Sequence, residues 1–468
     1  MISCNENTKA DGEKNAKGNI VLSAGNQEEK NNEVQKYIFY FIGDGLGASQ
    51  RQAAEYYLQS KGKEETLKIN SLPVAGINTT HALDTLVTDS AAAGTALATG
   101  HKTNSGVISQ LPDGTNLKTV VEKAEEKGMA TGIITSTRLT HATPAVFASH
   151  NESRGNENEI AEDYLDSGVD FFAGGGASNF RPNDGTLGKS KREDDKNLLE
   201  DFEKLGYKVF NGEESASDFR KLKVKGEEKV FATFTDSHLP YEVERMQDDN
   251  TPSLAEITSK GIEVLEEYKD GFLMMVEGGR IDHASHANDV PATVNDVLAF
   301  DEAVKVAYKF YEEHPEETLI VVAGDHETGG FGLGFGNNYF LNLEIVDNAK
   351  VSVEDTLQEA YTGDREQYFK YIDENLGLNN LSEEEENKII EAMNIVDSGV
   401  ETDEYGGYNP VSIVTTHIFS ERANVNWTTY AHTGTQIPFS AVGVGADKFE
   451  GFKDNTEIGK SVFEILEN

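Results

Sequence analysis

Four short apolar runs rich in aromatic and β-branched residues punctuate the chain: Tyr37-Ile38-Phe39-Tyr40-Phe41-Ile42, Thr131-Gly132-Ile133-Ile134-Thr135-Ser136, Phe272-Leu273-Met274-Met275-Val276 and Leu319-Ile320-Val321-Val322-Ala323. Their lack of alternation predicts strands buried on both faces. Between them, residues 117–127, 255–268 and 294–311 carry apolar positions at helical spacing with charge on the other face, which predicts amphipathic helices. Strands alternating with helices predict an α/β fold, a three-layer α/β/α sandwich with a large, mostly parallel central sheet.

The texture changes from residue 331 to 430, where acid-rich helical segments run over 354–376 and 382–393 and buried-strand signals are few. This stretch is expected to be a solvent-facing subdomain inserted after a core of residues 37–330. Residues 431–468 return to the core, with a strand over 437–444 and an amphipathic helix near 457–466. Residues 1–36 read as a polar leader, disordered or serving as a tether. No internal repeat is visible.

Charge narrows the range of partners. The chain carries 82 Asp and Glu against 41 Lys and Arg, a formal net charge of -41. A field of that sign repels nucleic acid and anionic membrane alike, so neither is expected as a partner. It is compatible with life in high salt, where screening shortens the self-repulsion. An anionic substrate would have to enter against this field, so phosphate chemistry here requires concentrated local positive charge, most simply bound cations.

Cys4 is the only cysteine, which excludes a disulfide framework and a multi-thiolate zinc site and leaves His, Asp and Glu as candidate ligands. No stretch approaches the roughly 18 to 20 apolar residues of a membrane span. Ile2-Ser3-Cys4 and the polar stretch after it resemble the tail of a bacterial lipoprotein signal, with an idle leader as the alternative. The expected location is extracellular, periplasmic or attached to the cell envelope, in the last case through Cys4.

The candidate chemistry gathers at strand ends. Ile42-Gly43-Asp44-Gly45, Val276-Glu277-Gly278-Gly279 and Ala323-Gly324-Asp325-His326 each put an acid beside glycine at a carboxyl edge, where ligands of open α/β sheets bind. One such acid is an ordinary turn residue; three in equivalent places point to a cation. Asp282 and His286 lie four positions apart, on one face of a helical turn, and His432 precedes the last core strand. Oxygen and nitrogen donors of this kind suit zinc, and carboxylates with a hydroxyl suit magnesium. His81, His101 and His150 are read as ordinary polar residues. Ser90 stands where polar residues give way to Ala91-Ala92-Ala93-Gly94, which predicts a helix start; such a position favours an anion, or is simply a cap.

Taken in order, Gly43-Asp44-Gly45, Thr88-Asp89-Ser90-Ala91-Ala92, His141-Ala142-Thr143-Pro144, Glu277 with Asp282 and His286, Asp325-His326-Glu327 and His432 resemble the motif set of the alkaline phosphatases, from about Val34 to the C-terminus. The resemblance implies one zinc held by Asp282, His286 and His432 and a second held by Asp44, Asp325 and His326, with Ser90 approaching it. Magnesium would share Asp44 and take Thr143 and Glu277. Arg154, thirteen positions after His141, is implied as the guanidinium that clamps two phosphate oxygens. His141 and His283 stand where the best-known enteric type has Asp and Lys, and are expected beside the ligands rather than among them.

The implied reaction is hydrolysis of small phosphate monoesters at alkaline pH, through a phosphoserine on Ser90, with two Zn2+ and one Mg2+ per chain. A homodimer follows from the same resemblance. One alternative is a phosphodiesterase or nucleotide pyrophosphatase of the same superfamily, against which Thr143, Glu277 and Arg154 argue. A sulfatase is disfavoured because Ser90-Ala91-Ala92-Ala93-Gly94 lacks the Pro and Arg of that signature. From another class, a non-catalytic metal- or phosphate-binding surface protein would not need Ser90.

Overall fold

The computed structural model describes residues 35–63, 66–400 and 402–467, so the leader and Cys4 lie outside the described residues. In chain order the strands are β1 (Tyr37–Gly43), β2 (Val74–Thr79), β3 (Ala130–Arg138), β4 (Phe171–Gly175), β5 (Tyr207–Asn211), β6 (Lys229–Thr233), β7 (Phe272–Gly278), β8 (Thr318–Gly324), β9 (Glu327–Thr328), β10 (His432–Thr433), β11 (Ile437–Gly443) and β12 (Gly451–Asp454). Ten of them form one sheet in the order β12-β2-β11-β8-β1-β7-β3-β4-β6-β5, and β9 and β10 pair separately. Only β11 runs antiparallel to its neighbours in the large sheet. The expected α/β architecture with a mostly parallel central sheet is therefore present.

Alternate side chains of β1 enter different cores. Phe39 and Phe41 pack on one side with Phe300 and Val322, while Ile38, Tyr40 and Ile42 pack on the other with Val121 and Phe147. Burial on both faces is why these strands read as unbroken apolar runs. Helices cover each face, among them Val290–Glu313 on the first side and Ser90–Thr99 and Asn455–Glu467 on the second.

Register aligns the strand ends that carry the acids. Gly43 of β1 faces Gly278 of β7 on one side and Gly324 of β8 on the other. Asp44, Glu277 and Asp325 consequently leave the sheet at one carboxyl edge.

The helix expected over 354–376 forms only as Arg365–Leu376. Its first part is instead a turn, because Glu354 and Asp355 are drawn to the buried Arg280 guanidinium, at 3.3 and 2.6 Å. Asp364 then caps the helix by accepting from the Gln367 amide. The helices Arg365–Leu376, Glu383–Ser398 and Pro410–Ala423 bury Ile372, Ile389 and Ile413 in the same core as Phe39 and Phe41.

Candidate metal centre

The helix Ser90–Thr99 is buried along its whole length. Its small residues permit this: a Cβ on Gly94 would lie 2.9 Å from a Val146 methyl of the neighbouring helix Ala142–Ala148. Asp89 is the N-cap, accepting from the Ala92 amide at 3.0 Å. The Ser90 hydroxyl is not used for capping and sits 3.2 Å from His326 Nε2.

Around this serine, three groups of side chains each converge on a point, with the offered atoms of each group all within 4.8 Å of one another. Asp282 and His286, from the short helix Arg280–His286, meet His432 of β10. Asp44 after β1 meets Asp325 and His326 after β8, and Asp44 also meets His141 and Glu277. Thr143 adds its hydroxyl to the third group, 3.2 Å from Asp44 Oδ2. His141 comes further in than its sequence position suggested, with Nδ1 3.5 Å from Glu277 Oε1 and 3.9 Å from Asp44 Oδ2.

In each group the outer atoms are tied to protein while the inner atoms face one another. His286 Nδ1 donates to the Tyr430 carbonyl at 2.6 Å and His432 Nδ1 to the Thr88 carbonyl at 2.8 Å. Their Nε2 atoms therefore face each other at 3.0 Å, with Asp282 at 3.4 and 3.5 Å. Two lone pairs at that distance repel unless a cation or proton lies between them. Asp325 Oδ1 accepts from the amides of Gly45 and His326, and Glu277 Oε2 takes the hydroxyls of Thr135 and Thr137. Asp44 Oδ1, Asp325 Oδ2, Glu277 Oε1 and His141 Nδ1 are buried without a hydrogen-bond partner. Buried polar atoms are ordinarily satisfied, so a cluster of orphans pointing inward fits bound cations.

Electrostatics give the same fit. Burial raises the Asp44 carboxyl well above the usual range, and repulsion from Asp325, Asp282 and Glu277 adds to it. Asp325 is raised by burial and by Asp282, and burial pushes Glu277 to about 7 despite its threonine bonds. Burial would also raise Asp282, but His286 and His432 outweigh it and hold this carboxyl well below its ordinary value. Burial lowers His286 while Asp282 pushes it up, to about 9. Burial, and then the neighbouring His432, keep His326 neutral, the form that ligates a metal.

Arg154 lies at the rim, donating to Asp89 Oδ2 at 2.9 Å and facing His141 Nε2 at 3.1 Å. His283 stacks edge-on to His141 and accepts from Arg280 at 3.1 Å. All the candidate residues named from the sequence thus gather at one sheet edge. His81, His101 and His150 stay outside it; His101 bonds the Thr99 carbonyl and His150 bridges Ser109 and Glu122. Sequence reasoning missed His238, whose ring lies 4.4 Å from that of His283, together with Thr135, Thr137 and Thr328. Of the two residues that could cap the helix start, Asp89 does so and Ser90 is left to the site.

The sequence model of the alkaline phosphatase family matches residues 35–468. Alkaline phosphatase 3 of Bacillus subtilis (strain 168) is 36% identical over 470 residues, covering 97% of this chain and 94% of that protein. The cold-active alkaline phosphatase of the psychrophile Shewanella sp. superposes with a TM-score of 0.78 at 28% identity, covering 92% of this chain and 99% of that one. A His-to-Asp mutant of the TAB5 alkaline phosphatase, with Mg bound in its M3 site, superposes with a TM-score of 0.65 at 25% identity, covering 93% and 98%. The family match runs through every strand that carries a candidate ligand, and the chain belongs to the alkaline phosphatase family and is a phosphomonoesterase.

Proposed function

We propose that Ser90 is the nucleophile, that Asp282, His286 and His432 hold one zinc ion and Asp44, Asp325 and His326 a second, and that Asp44, Thr143 and Glu277 hold magnesium. The observation that carries this reading is the Ser90 hydroxyl 3.2 Å from His326 Nε2, at a helix start whose cap is already supplied by Asp89. Bound at these groups, divalent ions supply charge that lowers the pKa of the serine hydroxyl and stabilises the attacking and leaving oxygens.

Ser90 Oγ forms a bond to phosphorus as the ester P–O bond breaks and the alcohol departs. Water then attacks the phosphoserine, the serine oxygen leaves phosphorus, and inorganic phosphate is released. The start of helix Ser90–Thr99 would offer backbone amides to the equatorial oxygens, and Arg154 has N–H groups to spare beyond those given to Asp89 and His141. Ser90→Ala is expected to lower turnover of p-nitrophenyl phosphate by roughly 1,000-fold or more while metal content is unchanged. Acid-quenched wild-type enzyme should carry phosphate on Ser90. Near-wild-type turnover in the variant, or phosphate on another residue, would sink the assignment.

Residues 331–430 are proposed to be an insertion that rims this centre, since the Tyr430 carbonyl orients His286 and Glu354 and Asp355 hold Arg280. Native-state proteolysis confined to this stretch would support it, and early cuts within 37–330 would not. A homodimer is proposed through the sheet edge where Ile77 of β2 pairs with Phe452 of β12, both exposed. Sedimentation as a monomer at micromolar concentration would remove that proposal. Among the described residues no helix is long and apolar enough to cross a membrane. Attachment to the envelope is proposed through a lipid on Cys4, and an unmodified Cys4 in protein from the native host would exclude it.

A further inference from the structure

The two proposed zinc groups are joined by a threonine. Thr328 is fully buried in β9, and its hydroxyl donates to Asp282 Oδ1 of the first group while lying 3.2 Å from His326 Nδ1 of the second. A hydroxyl has one hydrogen. With that hydrogen on the Asp282 carboxylate, the threonine oxygen is left only to accept, and the donor is His326. His326 then carries its proton on Nδ1 and turns an Nε2 lone pair toward Asp44 Oδ1 and Asp325 Oδ2, each 3.3 Å away. Asp282 keeps its other oxygen, Oδ2, toward His286 at 3.4 Å.

The position of Thr328 is itself fixed. Its carbonyl accepts from Gln50 Nε2 at 2.8 Å, and it pairs with His432 across β9 and β10. Gly45, in the left-handed region at φ 69°, packs against it, and a Cβ at that glycine would lie 3.0 Å from the Thr328 hydroxyl oxygen. A backbone carbonyl orients one imidazole, as those of Tyr430 and Thr88 do for His286 and His432. A hydroxyl can give to one ligand and accept from another.

We propose that Thr328 is a positioning residue shared by both zinc groups, selecting the His326 tautomer in which Nε2 ligates and holding the Asp282 carboxylate toward the first ion. It touches no reacting atom. The inference rests on the metal reading above.

The test combines zinc titration of the metal-free chain, by competition with a chromophoric chelator, with 15N spectra of its histidine rings. Wild type is expected to take up two zinc ions tightly. Thr328→Val, of the same shape without the hydroxyl, should weaken both by roughly 10- to 100-fold, and Thr328→Ser should recover to within about threefold of wild type. The spectra should show His326 protonated on Nδ1, a measurement that needs no variant to fold. Unchanged zinc affinity in Thr328→Val, a loss that Thr328→Ser does not restore, or His326 protonated on Nε2 would each overturn the proposal. A wild-type chain with no tight zinc would overturn the metal reading itself and this inference with it.

Discussion

Two groups of carboxylates in this molecule meet opposite surroundings. At the sheet edge Asp44, Glu277 and Asp325 are fully buried, and the largest effect on each is a burial penalty that raises its pKa. On the helix Glu383–Ser398, Glu385 receives the Arg422 guanidinium at 2.9 and 3.0 Å, which holds its carboxyl down at about 2. Nearby, Asp397 meets Arg365 at 2.9 Å. Both regions are acid-rich, yet only one has supplied its own cations. The edge is held in place by the apolar sheet beneath it, and its unmatched charge becomes favourable only with an ion present. The helix charges are complete without any ligand.

Metal removal should separate the regions most strongly. An ion present at 1,000 times its dissociation constant contributes about 4 kcal/mol to the folded state, so loss of several ions shifts stability by roughly 10 kcal/mol. Chelation is expected to abolish turnover and lower the melting temperature by well over ten degrees or so, with zinc and magnesium restoring both. An unchanged melting temperature after verified metal loss would break the contrast, because the edge charges would then not need cations.

Asp44→Asn sharpens it. Asp44 belongs to two of the groups, so turnover should fall by orders of magnitude. In the metal-free chain at pH 8, however, removing one of several mutually repelling buried carboxylates should raise stability by about 1–3 kcal/mol. Denaturant unfolding of metal-free wild type and variant measures this directly. A less stable variant would mean that Asp44 contributes to the fold rather than straining it.

The same contrast explains what could be read from the sequence. β1, β3, β7 and β8 were legible because burial on both faces leaves a short run of mostly apolar residues. β2, β4, β5 and β6 were not: the residues of β2 and β5 are partly exposed toward the sheet margins, and β4 and β6, though buried, are five-residue strands whose apolar stretch is cut short by Gly174-Gly175 or flanked by Lys229 and Thr233. Asp44, Glu277 and Asp325 were legible because each follows a readable strand beside glycine. Thr135, Thr137 and Thr328 were not, since a hydroxyl gains meaning only from its partners, and the carboxylates these three donate to lie 46 to 142 positions away. The helix expected from residue 354 failed for a related reason: its acids answer to Arg280, more than seventy positions earlier.

The smallest expected effect tests the other side of the contrast. Glu385 also completes a capping box with Ser382, accepting from its amide at 2.7 Å. Glutamine can make that bond too, so Glu385→Gln removes the charge and little else. The pair with Arg422 is partly exposed and screened, so the loss at pH 7 should be only about 0.5–1 kcal/mol. Its sign with pH is fixed by the lowered carboxyl. The folded chain holds this group ionised down to about 2, whereas the unfolded chain releases it near its ordinary value of 4.5. The contribution is therefore complete above the ordinary value and is lost as pH falls toward the folded one. Wild type and Glu385→Gln should differ in urea midpoint at pH 7 and converge as pH falls below about 3, and high salt at pH 7 should narrow the gap as well. Equal midpoints at pH 7 would make these helix charges bystanders, and the molecule would then hold one electrostatic device, at the sheet edge, rather than two.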